Sequence, residues 1–172
     1  MSAGQEINKY LKLNKIGQGS FAEVYMAKDR IRKKYFAMKL SIQSNIEESN
    51  KLVVIREAKI LKKLNHRNII KLLDYSDSAE QSTILSRHPS SALSIIEFCP
   101  CSLSQSIIHP EFQFELILGL NYIHEKKIFH TDLRPSNILI NIKGVKLFDF
   151  GLATYRNSTP LKQDWTFPST AM

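Results

Sequence analysis

The sequence predicts an α+β domain, because strand-like and helix-like patterns occupy separate stretches of the chain. Between residues 10 and 40, segments with strand periodicity are separated by a glycine turn and by a basic turn, which indicates a β-meander. From about residue 46 to 64 apolar residues recur at helical spacing, and a second helix is expected over about 111–125. A chain of 172 residues with 43% hydrophobic residues can bury a core of its own.

The strands of the predicted meander cover residues 10–16, 21–27 and 35–40. The first helix has an apolar stripe formed by Val54, Ala58 and Leu61. Further strands are expected at 72–73 and 93–98, and the serine-rich stretch from Ser76 to Ser91 predicts a long loop between them.

The second helix and the residues after it form a separate pattern. One side of this helix is apolar and carries Phe112, Leu116, Leu120 and Ile123. Short strands are expected near 138–140 and 145–148, and the tail from residue 154 to 172 lacks periodicity and predicts a loop.

The net charge of +8 is compatible with nucleic acid, acidic lipid or phosphate-bearing ligands. Because the basic residues alternate with apolar positions, we interpret them as solvated faces and expect no nucleic-acid partner. Cys99 and Cys101 form a lone Cys-x-Cys, which favours neither a disulfide framework nor a zinc site. With no signal-peptide pattern and no apolar run near the ~18 residues of a membrane span, we expect an intracellular protein, cytoplasmic or nuclear.

The first candidate site is the stretch Gly17-Gln-Gly19-Ser-Phe-Ala22-Glu-Val24. Glycines here let backbone N–H groups approach phosphate oxygens without a Cβ in the way. A dinucleotide fingerprint would need a helix next and an acidic residue about 20 positions on. Here the next residues alternate like a strand, and Lys39 stands 22 positions after Gly17. A loop over phosphates is favoured, and a plain hairpin turn stays open.

Lys39 and Glu57 form the second candidate feature. Lys39 lies near the end of a predicted strand, where a buried ammonium needs an anionic partner. Glu57 lies next to Ala58 on the apolar stripe of the first helix. No Lys or Arg lies three or four residues from Glu57 along the helix. A partner from elsewhere in the fold is therefore expected, although a solvated glutamate stays open.

The third candidate stretch, His130-Thr-Asp132-Leu-Arg134-Pro-Ser-Asn137, combines a carboxylate, a cation and an amide. Twelve residues later Asp149-Phe-Gly151 follows apolar neighbours, where a lone carboxylate is costly without a cation. Oxygen ligands from Asn137 and Asp149 suit Mg²⁺ carried on a nucleotide. Two structural alternatives stay open, namely Asp149 as a turn residue and Asp132 as an N-cap.

Together these motifs resemble the eukaryotic protein kinase family over roughly Tyr10 to Thr154. The resemblance implies a partial kinase domain over 1–172, with a β-sheet N-lobe bearing one main helix (10–98) and an incomplete helical C-lobe beginning at 99–154. Residues 155–172 would be a truncated activation segment. The segment 135–137 is similar to the serine/threonine type, and Ala22 with residues 150–154 is similar to polo-like kinases.

The resemblance also implies roles for individual residues, with ATP and Mg²⁺ as cofactors and a Ser/Thr-containing protein as substrate. Asp132 would accept the substrate proton, Lys39 paired with Glu57 would contact phosphates, Arg134 would stabilise the transferring phosphoryl group, and Asn137 and Asp149 would hold magnesium. The nucleotide would be bound by Ile16, Gly17, Gln18, Gly19, Ser20, Phe21, Ala22, Val24, Ala37, Lys39, Glu97, Cys99 and Leu139.

The sequence departs from the family pattern in ways that affect the expected activity. Thr131 stands where an arginine is usual and Arg134 where a lysine is usual, so activation by loop phosphorylation is not expected and the rate is expected to be lower. The connection from Cys99 to Leu116 is short, and the chain ends 21 residues after Gly151 without an Ala-Pro-Glu element. We therefore expect no peptide-substrate platform and exposed apolar faces on helix 111–125, Leu139 and Leu147. Two functions remain: phosphate transfer to protein, or binding of ATP or protein partners without transfer.

Overall fold

Six antiparallel strands form the main sheet in this computed structural model, which describes residues 5–7, 9–42, 47–76, 92–105 and 110–156. The strands are β1 Gln5–Ile7, β2 Tyr10–Gln18, β3 Ala22–Asp29, β4 Tyr35–Ser41, β5 Leu72–Ser76 and β6 Leu93–Glu97. They lie in the order β1-β2-β3-β4-β6-β5. The predicted meander is confirmed as β2-β3-β4, whereas β1 was not predicted.

Strand β4 lies in the middle of the sheet, and its apolar residues are buried. Ala37, Met38 and Leu40 are each at most 8% exposed. The register places Lys39 opposite Val24 on one side and Ser94 on the other. Because β4 pairs with strands on both sides, the backbone of Lys39 is held rigidly, and its ammonium can reach only groups close to the sheet.

Helix α1, Glu47–Leu61, packs its predicted apolar stripe on this sheet. Val54, Ala58 and Leu61 are each at most 2% exposed, so the stripe assigned from spacing is the buried face. Glu57 is also 1% exposed. The helix therefore carries one carboxylate into the apolar layer between helix and sheet.

The second half of the chain combines helix α2, Pro110–Glu125, with short strands. The strands are β7 Cys101–Ser102, β8 Ile128–Phe129, β9 Ile138–Asn141, β10 Gly144–Leu147 and β11 Thr154–Tyr155. Strands β10, β9 and β7 form one small sheet, and β11 pairs with β8 in another. Single 3₁₀ turns occur at Leu103–Gln105, Pro135–Asn137 and Phe150–Leu152.

A shared core joins the main sheet to the second half. The backbone amide of Ile70 donates to the Leu147 carbonyl at 2.9 Å, and the Leu147 amide donates to the Asn68 carbonyl at 2.8 Å. The Asn68 side chain, fully buried, also donates to the Val145 carbonyl at 3.0 Å. The residues after α1 are thereby fixed to β10, the strand that leads into Asp149.

The predictions about exposure and loops are compared with the described residues one by one. Leu147 is fully buried, so its predicted exposure is wrong: it packs in the core between β10 and the residues after α1. Helix α2 exposes the apolar side chains of Phe114, Ile117 and Leu118, whereas the apolar side identified from spacing packs on the core. Leu139 is half-buried against the same core. The tail predicted as loop is not loop throughout, because residues 154–155 pair with β8.

The segments 77–91, 106–109 and 157–172, which include most of the predicted loops, lie outside the described residues. Of the helices that are described, neither has the length and apolarity to cross a bilayer.

Candidate active site

A cleft of about 420 Å³ lies beside strand β4. It is also lined by the turn joining β2 to β3, the segment after β6, residues before and within β9, and residues just after β10. Most of the candidate residues line it. They are Ile16, Gly17, Gln18, Gly19, Ser20, Phe21, Ala22, Val24, Ala37, Lys39, Glu97, Cys99, Arg134, Asn137, Leu139 and Asp149. Two candidates do not line it: Glu57 lies behind Lys39, and Asp132 is hydrogen-bonded to Asn137.

The ammonium of Lys39 contacts two carboxylates in this cleft. Its Nζ lies 2.5 Å from Glu57 Oε2 and 2.8 Å from Asp149 Oδ1. Lys39 and Glu57 are buried, whereas Asp149 is about one-third exposed, with its side chain at 33%. The solvated-glutamate alternative for Glu57 is therefore wrong, because this carboxylate is buried and paired across 18 residues.

The electrostatics of this group favour a charged lysine. Burial opposes the ammonium, but the Glu57 and Asp149 carboxylates outweigh it and hold the pKa of Lys39 above its ordinary value. Burial likewise opposes the Asp149 carboxylate, yet the adjacent Lys39 holds the pKa of Asp149 below its usual range. For Glu57, burial prevails over Lys39, and the pKa is raised. Asp149 is thus the more persistent anion, and it is the one that faces the cleft.

The backbone around Asp149 aims its carboxylate at Lys39. Asp149 is in the left-handed region at φ 62° and stands just before the 3₁₀ turn of Phe150–Leu152, without capping that turn through its side chain. Phe150 is fully buried, and a Cβ added at Gly151 would lie 2.9 Å from Val53 Cγ1 of α1. Glycine is therefore required by this close approach to the helix. Asp149 therefore has the backbone of a turn residue, as one alternative predicted, but its side chain pairs with Lys39 and does not stabilise the turn.

The segment before β9 brings Asp132 and Asn137 together. The amide nitrogen of Asn137 donates to the Asp132 carboxylate at 2.8 Å and to the Asp132 carbonyl at 2.9 Å. Arg134 Nε lies 3.5 Å from the same carboxylate oxygen. The residue that precedes the Pro135–Asn137 turn as its N-cap is Arg134, so the N-cap alternative for Asp132 is wrong.

His130 joins this segment to the one that carries Asp149. Its Nε2 is 2.7 Å from the Phe148 carbonyl oxygen, and its ring packs edge-on against Phe150 at 4.8 Å. Only 3% of the residue is exposed. Burial lowers the pKa of His130 below its usual range, although the bond to Phe148 and the nearby carboxylates oppose this. Folding therefore favours the neutral form of this ring.

Stability is expected to fall as the pH drops through the range in which unfolded His130 titrates, near 6.5. In this range His130 binds a proton in the unfolded chain but not in the folded chain, so acidification favours unfolding until the folded ring is also protonated. Urea denaturation at pH 7.0 and 5.5 measures this loss. We expect His130→Gln, which has a neutral amide at the same place, to lose less stability between the two pH values. Equal losses in the two proteins would contradict the assignment.

Some contacts around the cleft were not predicted from the sequence. Lys146 Nζ pairs with Glu97 Oε1 at 2.9 Å, and the same oxygen accepts the Lys71 backbone N–H at 2.8 Å. Lys146 is 6% exposed, and the one available signal was its place between the apolar residues Val145 and Leu147. Arg56 donates to the Ala153 carbonyl at 2.6 Å, a contact that no local pattern indicates. The cleft is also lined by Val53, Ile96, Phe98, Pro100, Cys101, Ser102, Ser136 and Phe148.

The donor set of the cleft fits a magnesium ion that arrives with phosphates. The side-chain nitrogen of Asn137 makes both bonds to Asp132, so its side-chain oxygen takes no part in those bonds. Asp149 contributes a carboxylate to the cleft. Among the described residues no three His, Cys, Asp or Glu side chains cluster as a metal cage. Mg²⁺ prefers a site with few oxygen ligands from the protein, in which phosphates and water complete the coordination.

The chain is similar to known proteins over most of its length. Residues 10–169 match the family model described as protein kinase domain. The chain is 37% identical to cyclin-dependent kinase 9 of Danio rerio over 86% of this chain and 42% of that protein. It is 39% identical to cyclin-dependent kinase 14 of Oryctolagus cuniculus, over 85% of this chain and 31% of that protein.

These similarities decide the family and revise the narrower resemblance. The chain spans less than half the length of each of these relatives. Both are cyclin-dependent kinases, so they do not support the similarity to polo-like kinases that Ala22 and residues 150–154 suggested. Protein kinases in general use ATP and Mg²⁺ and act on proteins. The chain belongs to the protein kinase domain family and, by family, falls among the serine/threonine kinases.

Proposed function

We propose that the protein transfers the γ-phosphate of ATP to serine or threonine hydroxyls of protein substrates. The observation that carries this proposal is the double contact of Lys39 with Glu57 and Asp149 at 2.5 and 2.8 Å. The bridge fixes an ammonium and a cleft-facing carboxylate side by side, where phosphates and a phosphate-bound cation would lie. Phosphoryl transfer depends mainly on such positioning and charge stabilisation.

In this proposal the nucleotide occupies the 420 Å³ cleft. The adenine would lie among the apolar side chains Ile16, Val24, Ala37 and Leu139, and the backbone of residues 97–99 would supply hydrogen bonds to its edge. The turn over residues 17–22 would cover the phosphates, since its two glycines carry no Cβ. The Lys146–Glu97 ion pair would keep the 97–99 segment in place.

Asn137 and Asp149 would hold Mg²⁺ on the phosphates, and the ion would neutralise charge that develops during transfer. Lys39 would bind phosphate oxygens while Glu57 keeps its ammonium in position. Removing the opposing charge of Lys39 would leave Asp149 poorly placed, because the two side chains are in direct contact. In this proposal the chain's own residues would define where the phosphates and the cation lie.

Asp132 would accept the proton of the substrate hydroxyl, and Arg134 would stabilise the transferring phosphoryl group. Supporting this role, the Asp132 carboxylate is partly exposed, at 30%, and is oriented by the Asn137 amide at 2.8 Å. The Arg134 side chain is 61% exposed beside it, so it can reach an incoming phosphate. A general base contributes about 10²–10⁴-fold to such reactions.

The test measures phosphate transfer from ATP·Mg²⁺ to a generic protein substrate by the whole chain and by Asp132→Asn. We expect transfer by the unchanged protein and a rate about 10²–10⁴-fold lower in the variant, with ATP binding retained. Asn keeps the size of the side chain and removes its basicity. Measurable ATP binding without any transfer by the unchanged protein would contradict the proposal.

A second candidate function is ATP binding without transfer. It is favoured by the contacts of Asp132 Oδ2, since both Asn137 and Arg134 approach that atom and occupy one of the two oxygens that could accept the substrate proton. The same assay separates the two functions: nucleotide binding that is unaffected by Asp132→Asn, with no transfer at any substrate concentration, is the outcome this alternative predicts.

We also propose that the domain divides into two lobes at residues 98 and 99, with 10–98 as the sheet lobe and 99–154 as the start of the helical lobe. In support, β6 ends at Glu97, and β7, which begins at Cys101, pairs with β9 in the three-stranded sheet β10-β9-β7. Limited proteolysis with and without ATP would test the division, because a bound nucleotide should protect the connecting segment.

A further inference from the structure

Thr131 has a backbone conformation that a β-branched residue rarely adopts. Its φ is 63°, in the left-handed region, where Cβ branching is sterically unfavourable. Such a conformation persists only when surrounding contacts hold it, and it is found where a side chain must be aimed at a particular group. The side chain itself is exposed, so burial does not explain the conformation.

The hydroxyl of Thr131 donates to the carbonyl oxygen of Leu152 at 2.7 Å. Leu152 is the last residue of the 3₁₀ turn that follows Asp149, and the carbonyls at the end of a helical turn lack partners within it. The next carbonyl, of Ala153, accepts from Arg56 at 2.6 Å. Two side chains from separate parts of the chain thus hold two consecutive carbonyls, one at the last residue of the turn and one just after it.

Besides the Thr131 bond, two further hydrogen bonds link the segment 130–137 to the segment 148–152. The Phe148 amide donates to the Asn137 carbonyl at 2.9 Å, and His130 Nε2 lies 2.7 Å from the Phe148 carbonyl. These two contacts lie before Asp149, and the Thr131 bond lies after it. Asp149, itself at φ 62°, is therefore fixed from both sides.

We propose that Thr131 is a positioning residue whose hydroxyl, by holding the Leu152 carbonyl, keeps the turn after Asp149 closed and the Asp149 carboxylate against Lys39. This inference rests on the proposed function for its catalytic consequence and on the contacts alone for its structural one. Both partners of the bond are neutral, so the turn is held at this point without an ion pair.

The experiment compares Thr131→Val with Thr131→Ser in the whole chain. Valine keeps the β-branched shape and removes the hydroxyl, whereas serine keeps the hydroxyl and removes the methyl group. Hydrogen exchange of the Ala153 and Arg156 amides, which donate to Phe150 and Lys127 carbonyls, reports closure of the turn and of the β8–β11 pairing. We expect exchange about tenfold faster in Thr131→Val and within about twofold of the unchanged protein in Thr131→Ser.

Turnover gives the second readout. We expect Thr131→Val to lower kcat about tenfold with little change in KM for the protein substrate, and Thr131→Ser to restore it. If the unchanged protein transfers no phosphate, the proposed function fails while the exchange comparison still decides the role of Thr131. Equal exchange rates in the valine and serine variants, or unchanged exchange in the valine variant, would overturn the inference.

Discussion

Replacing Lys39 by methionine is expected to lower the free energy of unfolding by about 3–5 kcal/mol, because it leaves a buried carboxylate without its cation. Glu57 is 1% exposed, and Lys39 Nζ is the group that pairs with it at 2.5 Å. Asp149 loses the same partner but keeps access to water, since its side chain is 33% exposed. Urea denaturation at pH 7 measures the loss, and phosphate transfer should be lost as well.

The double variant Lys39→Met/Glu57→Leu provides the control for this result. It removes both charges of the buried pair, and replacing such a pair by apolar side chains of similar size is often neutral for stability. We expect it to recover most of the stability and none of the activity. If the double variant were as unstable as the single one, the loss would come from packing and not from the unpaired carboxylate.

Replacing Phe150 by alanine is expected to cost about 3–5 kcal/mol of stability, the range for removing a buried aromatic ring. The ring is fully buried between α1 and the second half of the chain and contacts His130 at a centroid distance of 4.8 Å. Because the turn after Asp149 is built on this ring, ATP·Mg²⁺ should also bind more weakly. Chemical denaturation and nucleotide titration measure the two effects separately.

Phe114→Ala is the matched control, since it deletes the same ring from the surface of α2. Phe114 is 65% exposed, and surface substitutions usually change stability by less than about 0.5 kcal/mol. A similar loss in both variants would mean that the α2 surface is covered in solution. A small loss in Phe150→Ala would mean that the core around Asp149 reorganises without this ring.

The sequence by itself predicted the elements that depend on local patterns. The β-meander and the apolar stripe of α1 follow from periods of 2 and 3.6 residues, and both are present. The expectation that Glu57 needs a distant cation followed from the lack of basic neighbours along the helix and the cost of burying a lone charge. Lys39 is that cation.

Contacts that depend on which distant segments meet were not predicted from the sequence. Strand β11 was predicted as loop because two residues are too few for a visible period, and it forms only because β8 offers a partner edge. Leu147 was expected to be exposed, but residues 68–70 pack on it after a long intervening stretch of chain. The same holds for Lys146 with Glu97 and for Arg56 with the Ala153 carbonyl.

The sequence alone therefore determined the family, the α+β class and the identity of the charged groups, since these follow from residue type and spacing. Only the tertiary structure decided how the groups are used. It showed that Lys39 bridges Glu57 and Asp149, that Asp132 is oriented by Asn137, and that Thr131 reaches the Leu152 carbonyl from a left-handed backbone. The physical reason is that hydrogen bonds and ion pairs require distances below about 3.5 Å, and chain packing, not spacing in sequence, sets those distances.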